Sequence, residues 1–141
     1  MKSAGGTAPG YGYSLIFAGA MRPTPVMDNP CNIYAVTFDS TAGSFFVGGN
    51  GGALTLTGGV TNNSPNSQTL GVPVVLGAPV TFNAATASLT LSQNITNGGN
   101  LLTIADGGSL DFPLPLFSPL NFEQSRNRWS KTAGDNRKQM R

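Results

Sequence analysis

Apolar residues alternate with threonine and other small polar residues over most of the chain, in runs of only a few positions. A spacing of two places the apolar side chains on one face of an extended strand and the polar side chains on the other. Threonine is β-branched and suits the exposed face of such a strand. The pattern therefore predicts short strands with one buried face. They are residues 15–18, 35–38, 45–47, 54–57, 74–76, 80–82, 89–92 and 101–104.

Glycine and asparagine clusters separate these strands, for example at residues 48–52, 62–66 and 97–100. Both residue types accept positive φ angles, so the chain can turn every few residues. No helical periodicity is present before residue 120. Many short strands with tight turns predict an all-β fold and are compatible with a sandwich, a barrel or a solenoid.

Two internal matches favour the solenoid. Residues 36–47 align without gaps on residues 80–91, and residues 54–62 align on residues 89–97. The offsets are 80 minus 36 and 89 minus 54, or 44 and 35 residues, so the unit is a strand–turn–strand module with variable loops. In a solenoid each such module packs only on its neighbours. The first match predicts that Phe38 and Phe82 occupy equivalent inward positions.

Charged residues are few and unevenly placed. They make up 10% of the chain, and residues 40–105 contain no Asp, Glu, Lys or Arg. Coils stacked about 4.8 Å apart would place like charges in adjacent rows, so a neutral span suits stacking. Residues 121–141 carry six basic and two acidic side chains. Such a tail is usually solvated, although a basic segment can also bind anionic polymers.

The composition divides the chain into four parts. Residues 1–12 are predicted to be a flexible N-terminus, and residues 13–108 form the repeat region. Residues 109–120 contain three prolines, which block ladder hydrogen bonds and predict an extended or capping segment. Residues 121–141 are predicted to be a disordered basic tail that the fold can lose. Residues 13–21 faintly resemble a signal peptide, but we interpret them as a strand because the apolar run is short.

The sequence offers little equipment for catalysis. It contains no histidine, so neither a Ser–His nor a Cys–His pair can form, and Cys31 is the only cysteine. Glycoside cleavage usually needs two carboxylates, and Asp106 and Asp111 are the one close pair. Asp106 precedes two glycines and is typical of a turn, as are Asp28 and Asp39. We therefore predict no catalytic, cofactor-binding or metal-binding residues and no cofactor.

Six segments carry a resemblance to a known family: residues 17–19 (FAG), 36–43 (VTFDSTAG), 54–63 (LTLTGGVTNN), 68–70 (QTL), 80–85 (VTFNAA) and 89–98 (LTLSQNITNG). With them, residues 13–108 resemble the autotransporter-associated β-strand repeat proteins. The resemblance implies a right-handed parallel β-helix that is exported from a bacterium and displayed at the cell surface or released from it. It implies neither enzyme activity nor a cofactor.

The resulting expectation is a non-enzymatic structural segment of a surface-displayed passenger, acting in extension, display or adhesion. Its partners would be extracellular glycans or proteins and the neighbouring coils of a longer parent chain, with no specific nucleic acid. Family members are usually longer, which favours a fragment, and no clear signal peptide or run of transmembrane length is present. Two alternatives stay open: a fragment of a carbohydrate-active β-helical enzyme, and a module that binds anionic polymers through residues 126–141.

Overall fold

The computed structural model describes residues 11–50, 52–112 and 121–124. These residues form strands and turns without a helix, and every pair of neighbouring strands is parallel. The strands are β1 (Ser14–Phe17), β2 (Val26–Met27), β3 (Cys31–Phe38), β4 (Phe46–Gly49), β5 (Leu54–Asn62), β6 (Gln68–Gly71), β7 (Val74–Leu76), β8 (Val80–Ala84), β9 (Leu89–Leu91), β10 (Ile95–Thr96), β11 (Leu101–Asp106), β12 (Leu110–Asp111) and β13 (Asn121–Gln124).

The strands wind into a β-solenoid of about four turns with three faces. The main face consists of β1, the second halves of β3 and β5, and then β8, β11 and β13. The second face stacks β2, β4, β6, β9 and β12 in that order. The third face stacks the first halves of β3 and β5 on β7 and β10. The prediction of a parallel β-solenoid is therefore confirmed.

Apolar side chains form continuous rows inside the coil. On the main face, Val36 pairs with Val60, Val60 with Phe82, and Phe82 with Ile104. All four side chains are at most 1% exposed, and full burial of such a side chain stabilises the fold by about 1.5–3 kcal/mol. The third face continues the core through its own row, which contains Leu54, Val74 and Ile95.

The predicted equivalence of Phe38 and Phe82 is wrong, although both rings are fully buried as expected. Phe82 pairs with Val60, whereas Phe38 pairs with Asn62 and stacks on Phe17 with ring centroids 5.1 Å apart. The steps from Val36 to Val60 and from Val60 to Phe82 are 24 and 22 residues, or 46 for two coils. The sequence match had an offset of 44, so it was two positions out of register. A slip of two keeps the inward orientation of a strand residue.

The second internal match joins different faces of the solenoid. Its first segment begins in β5 on the third face, at Leu54, and the aligned segment begins in β9 on the second face, at Leu89. An offset of 35 residues corresponds to about one and a half coils. The shared apolar–Thr–apolar pattern therefore reflects the strand environment and not an equivalent position in the coil.

A β-bulge in β5 separates the third face from the main face. Ile33 pairs with Leu56 but Ala35 pairs with Gly59, so β5 contains one extra residue at this point. Gly59 has a φ of 118°, and a Cβ at this residue would overlap the carbonyl oxygen of Thr81 in the next coil. Glycine is therefore required where the chain bends between these two faces.

The ladder extends beyond residue 108, where the repeat region was predicted to end. Strand β12 pairs with β9, and both Leu110 and Phe112 are buried. Four residues of the predicted basic tail, β13, pair in parallel with β11. The predictions for residues 1–10, 113–120 and 125–141 lie outside the described residues.

We expect Phe82→Ala to lower the free energy of unfolding by about 3–5 kcal/mol, because it deletes a fully buried ring. The adjacent Thr81 is exposed on the outer surface, so Thr81→Ala should change this free energy by about 0.5 kcal/mol or less. Urea denaturation of the two variants measures the difference. Equal losses would show that residue 82 does not point into the core.

We expect Gly59→Ala to destabilise the protein much more than Gly99→Ala. Both glycines have positive φ, which costs a residue with a Cβ about 1–2 kcal/mol. A Cβ at Gly99 meets no atom within 4 Å, whereas at Gly59 it meets the backbone of the next coil. Thermal unfolding of both variants tests this difference, and similar midpoints would contradict the bulge geometry.

Candidate functional site

A cluster of polar side chains lies at the corner between the main face and the second face. Asn62 is fully buried there, as the last residue of β5. Its Nδ2 donates to the carbonyl oxygens of Asn66, Ala87 and Ser88 at 3.1, 3.3 and 3.0 Å, and its Oδ1 accepts from the Ser64 N–H at 3.0 Å. A buried amide needs such partners, and here they belong to its own coil and to the next one.

Two further buried side chains bind this corner to the preceding coil. Gln68 accepts from the Phe45 N–H at 2.8 Å through Oε1 and donates to the Gly43 carbonyl at 2.8 Å through Nε2. The Ser64 hydroxyl donates to the Ala42 carbonyl at 2.6 Å. Because their polar atoms are engaged within the protein, we interpret this corner as a structural clamp between coils and not as a ligand site.

Asp39 acts as a turn residue, as predicted from the sequence. The Thr41 hydroxyl and the Thr41 N–H both donate to its Oδ1, at 2.6 and 2.7 Å. These bonds, the hydroxyl first, hold the pKa of the Asp39 carboxyl below its ordinary value. The stabilisation from this carboxylate is therefore present above its unfolded pKa and is lost as the pH falls through the lowered folded pKa.

The carboxylate pair considered for glycoside cleavage is divided between two faces. Asp106 ends β11 on the main face, where its backbone pairs with Ala84. Asp111 ends β12 on the second face, where it pairs with Thr90. Among the described residues, no group of three His, Cys, Asp or Glu side chains is close enough to hold a metal ion. The backbone topology therefore does not bring the two acids together on one surface.

Cys31 belongs to the core of the third face. It is 7% exposed, pairs with Leu54, and its thiol lies 3.6 Å from the carbonyl oxygen of Asn29. Burial in an apolar row keeps a thiol away from reaction partners. Its placement is that of a small core residue, in agreement with the structural interpretation of the sequence.

A shallow open groove crosses the corner between the second and third faces. Its volume is about 440 Å³. The lining comes from three successive corners of the solenoid and contains no ionisable side chain. The residues are Gly49, Gly52, Ala53, Gly71, Pro73 and Gln93.

An aromatic ring lies beside this groove. Phe46 is 48% exposed on the outer surface of the second face, whereas its neighbour Phe45 points inward and is buried. A Cβ on Gly71 in the next coil would lie 2.6 Å from the Phe46 Cζ, and a Cβ on Gly48 would lie 3.3 Å from its Cε1. The ring thus lies across two glycines, one of which also lines the groove.

Neither Phe46 nor the groove is among the candidate residues predicted from the sequence. It predicted a strand at residues 45–47, and alternation in such a strand requires one of two adjacent phenylalanines to face outward. The groove itself joins residues from loops that are distant in sequence, so no local motif marks it. Tyr34 is a second exposed ring, 53% exposed, and lies over Gly58 on another part of the surface.

Searches of protein-family models, of curated proteins and of solved structures find no match to this chain. Its class therefore follows from the fold: it is a repeat protein of the parallel β-solenoid type. The described residues contain no helix with the length and hydropathy that a membrane span requires.

We expect Asn62→Ala to destabilise the protein by roughly 3 kcal/mol or more, because each buried polar group left without a partner costs about 1–3 kcal/mol. The Ala87 carbonyl oxygen and the Ser64 N–H lose their partner in this variant, whereas the Asn66 and Ser88 carbonyl oxygens each lose one of two bonds and keep the one from Gln68. Asn63→Ala is the matched control, since Asn63 is exposed and its own N–H bond to Phe38 is retained. Chemical denaturation should separate the two, and equal stabilities would refute the clamp.

Proposed function

We propose that this chain is a non-enzymatic structural segment of an exported, surface-displayed passenger, and that it serves as a stalk for display or adhesion. The observation that carries the proposal is the unbroken parallel ladder over the described coils. About four turns at about 4.8 Å each give an axial length of roughly 20 Å. A solenoid of this kind extends by adding coils, which is the property that a spacer needs.

The outer surface of the main face supports a spacing role. From β1 to β11 its outward residues are neutral and, apart from the exposed Ile16, small. A charged residue enters the first row only at β13, where Glu123 pairs with Thr103. Neutral rows allow coils to stack without repulsion between equivalent positions. The rows are Ser14, Ala35, Gly59, Thr81 and Thr103, and Ile16, Thr37, Thr61, Asn83 and Ala105.

The export and surface location in this proposal rest on the resemblance of residues 13–108 to autotransporter-associated repeats. The fold supports the same assignment, because that family implies a parallel β-helix. The alternative of binding through the basic tail concerns residues 126–141, which lie outside the described residues.

Replacement of a β-helical segment in a bacterial autotransporter passenger by this full chain tests the structural role. We expect the hybrid to reach the cell surface, measured by antibody labelling and protease sensitivity on intact cells, because a folded coil continues the stack. The Phe82→Ala form of the same hybrid is the matched control and should be displayed less. Failure of the wild-type hybrid to reach the surface, while the parent passenger does, would contradict the proposal.

We also expect the purified protein to release no reducing ends from a panel of plant, fungal and bacterial polysaccharides, because Asp106 and Asp111 lie on different faces. A reducing-sugar assay over several hours measures this. Release that disappears in Asp106→Asn or Asp111→Asn would instead establish the carbohydrate-active enzyme.

A further inference from the structure

We propose that the groove between the second and third faces, together with the ring of Phe46, binds a neutral polysaccharide chain. This inference rests on the adhesion part of the proposed function and deepens it by naming a site and a ligand class. It rests on three features of the described residues: the shape of the groove, the presentation of the ring and the absence of charge in the lining.

The shape of the groove suits an extended chain. Its lining residues come from three successive coils, and Gly49, Gly71 and Gln93 are one residue from each. Two intervals of about 4.8 Å between these coils give a length of roughly 10 Å along the solenoid axis. The groove is open to solvent, so a polymer can lie along it without entering by a chain end.

The ring of Phe46 lies over the backbone of its own coil and of the next one. The absence of side chains at Gly48 and Gly71 creates the space into which the ring lies, and a Cβ at either residue would contact it. The ring covers these glycines with one side, and almost half of its surface remains exposed. An aromatic face carries partial negative charge and attracts the C–H groups of a flat ligand. Little rotamer freedom is lost on binding, which favours affinity.

The chemistry of the lining selects among flat ligands. Glycine, alanine and proline provide no charge, and Gln93 provides an exposed amide that can both donate and accept hydrogen bonds. An acidic polymer would find no cation in the lining. A peptide strand would need a free sheet edge, whereas β4, β6 and β9 around the groove are already paired in the second face. A pyranose, with C–H groups on its face and hydroxyls on its rim, meets both the ring and the amide.

The test uses the full-length protein and its variants in affinity electrophoresis through gels that contain cellulose-, mannan-, glucan- or chitin-derived soluble polysaccharides. We expect retardation by at least one neutral polymer and none by polygalacturonate. Phe46→Ala should weaken the retardation by about tenfold in dissociation constant, the upper range for an aromatic contact. Gln93→Ala should also weaken it.

Tyr34→Ala is the matched control, because Tyr34 is a similarly exposed ring that lies over Gly58, which does not line the groove, whereas Phe46 lies over Gly71, which does. It should bind as the wild type does. Because Phe46→Ala could alter folding, circular dichroism of each variant accompanies the assay. A second measurement is independent of substitution: nuclear Overhauser effects between the Phe46 ring and the sugar C–H protons of the retarding polymer's oligosaccharide.

No retardation by any neutral polymer would overturn the proposal, and so would binding that survives both Phe46→Ala and Gln93→Ala. Retardation by polygalacturonate alone would overturn it as well. The result also distinguishes this proposal from the structural role. A hybrid that is displayed but binds no sugar would support the stalk function and contradict the binding groove. Cleavage of the bound polymer would support the binding groove and contradict the non-enzymatic role.

Discussion

The parallel backbone ladder, combined with the inward apolar rows, is the constraint on which the other features depend. A single coil of 20 to 24 residues is too thin to bury its own apolar side chains. It must place Val60, for example, between Val36 and Phe82 of the neighbouring coils. The stack therefore gains stability from nearest-neighbour contacts, and each coil must keep the inward parity of its strands even where the loops differ in length.

At the corners of the solenoid, hydrogen bonds from side chains replace those of the backbone ladder. Backbone groups at the bends leave the regular pairing, so buried polar groups there need other partners. Asn62, Ser64 and Gln68 provide them at one corner by bonding to carbonyls in the coils on either side. At the boundary between the third and main faces, Gly59 allows an approach that a larger residue would block. Polar side chains thus join the coils at one corner, and a glycine allows the coils to approach closely at another.

The outer surface has more freedom than the core, and this freedom is where function can differ between solenoids. Most outward positions carry small neutral residues, which is sufficient for stacking. Phe46 departs from this pattern, because an exposed ring contributes little to the core and occupies space left by two glycines of its own surface. An exposed aromatic ring beside a neutral groove is one feature of the described surface that stacking alone does not explain. A spacer that also carries a weak sugar-binding groove would combine extension with adhesion in one fold.

The sequence by itself determined the all-β class, the position of eight strands and the inward orientation of residues such as Phe38 and Phe82. These depend on alternation, which is local. It did not determine the register between coils, because apolar–Thr–apolar segments match one another at several offsets and a slip of two preserves orientation. Only the tertiary structure decided that Phe82 lies beside Val60 and that Leu54 and Leu89 belong to different faces. The tertiary structure also creates the groove beside Phe46, because the groove exists only where loops from three coils lie side by side.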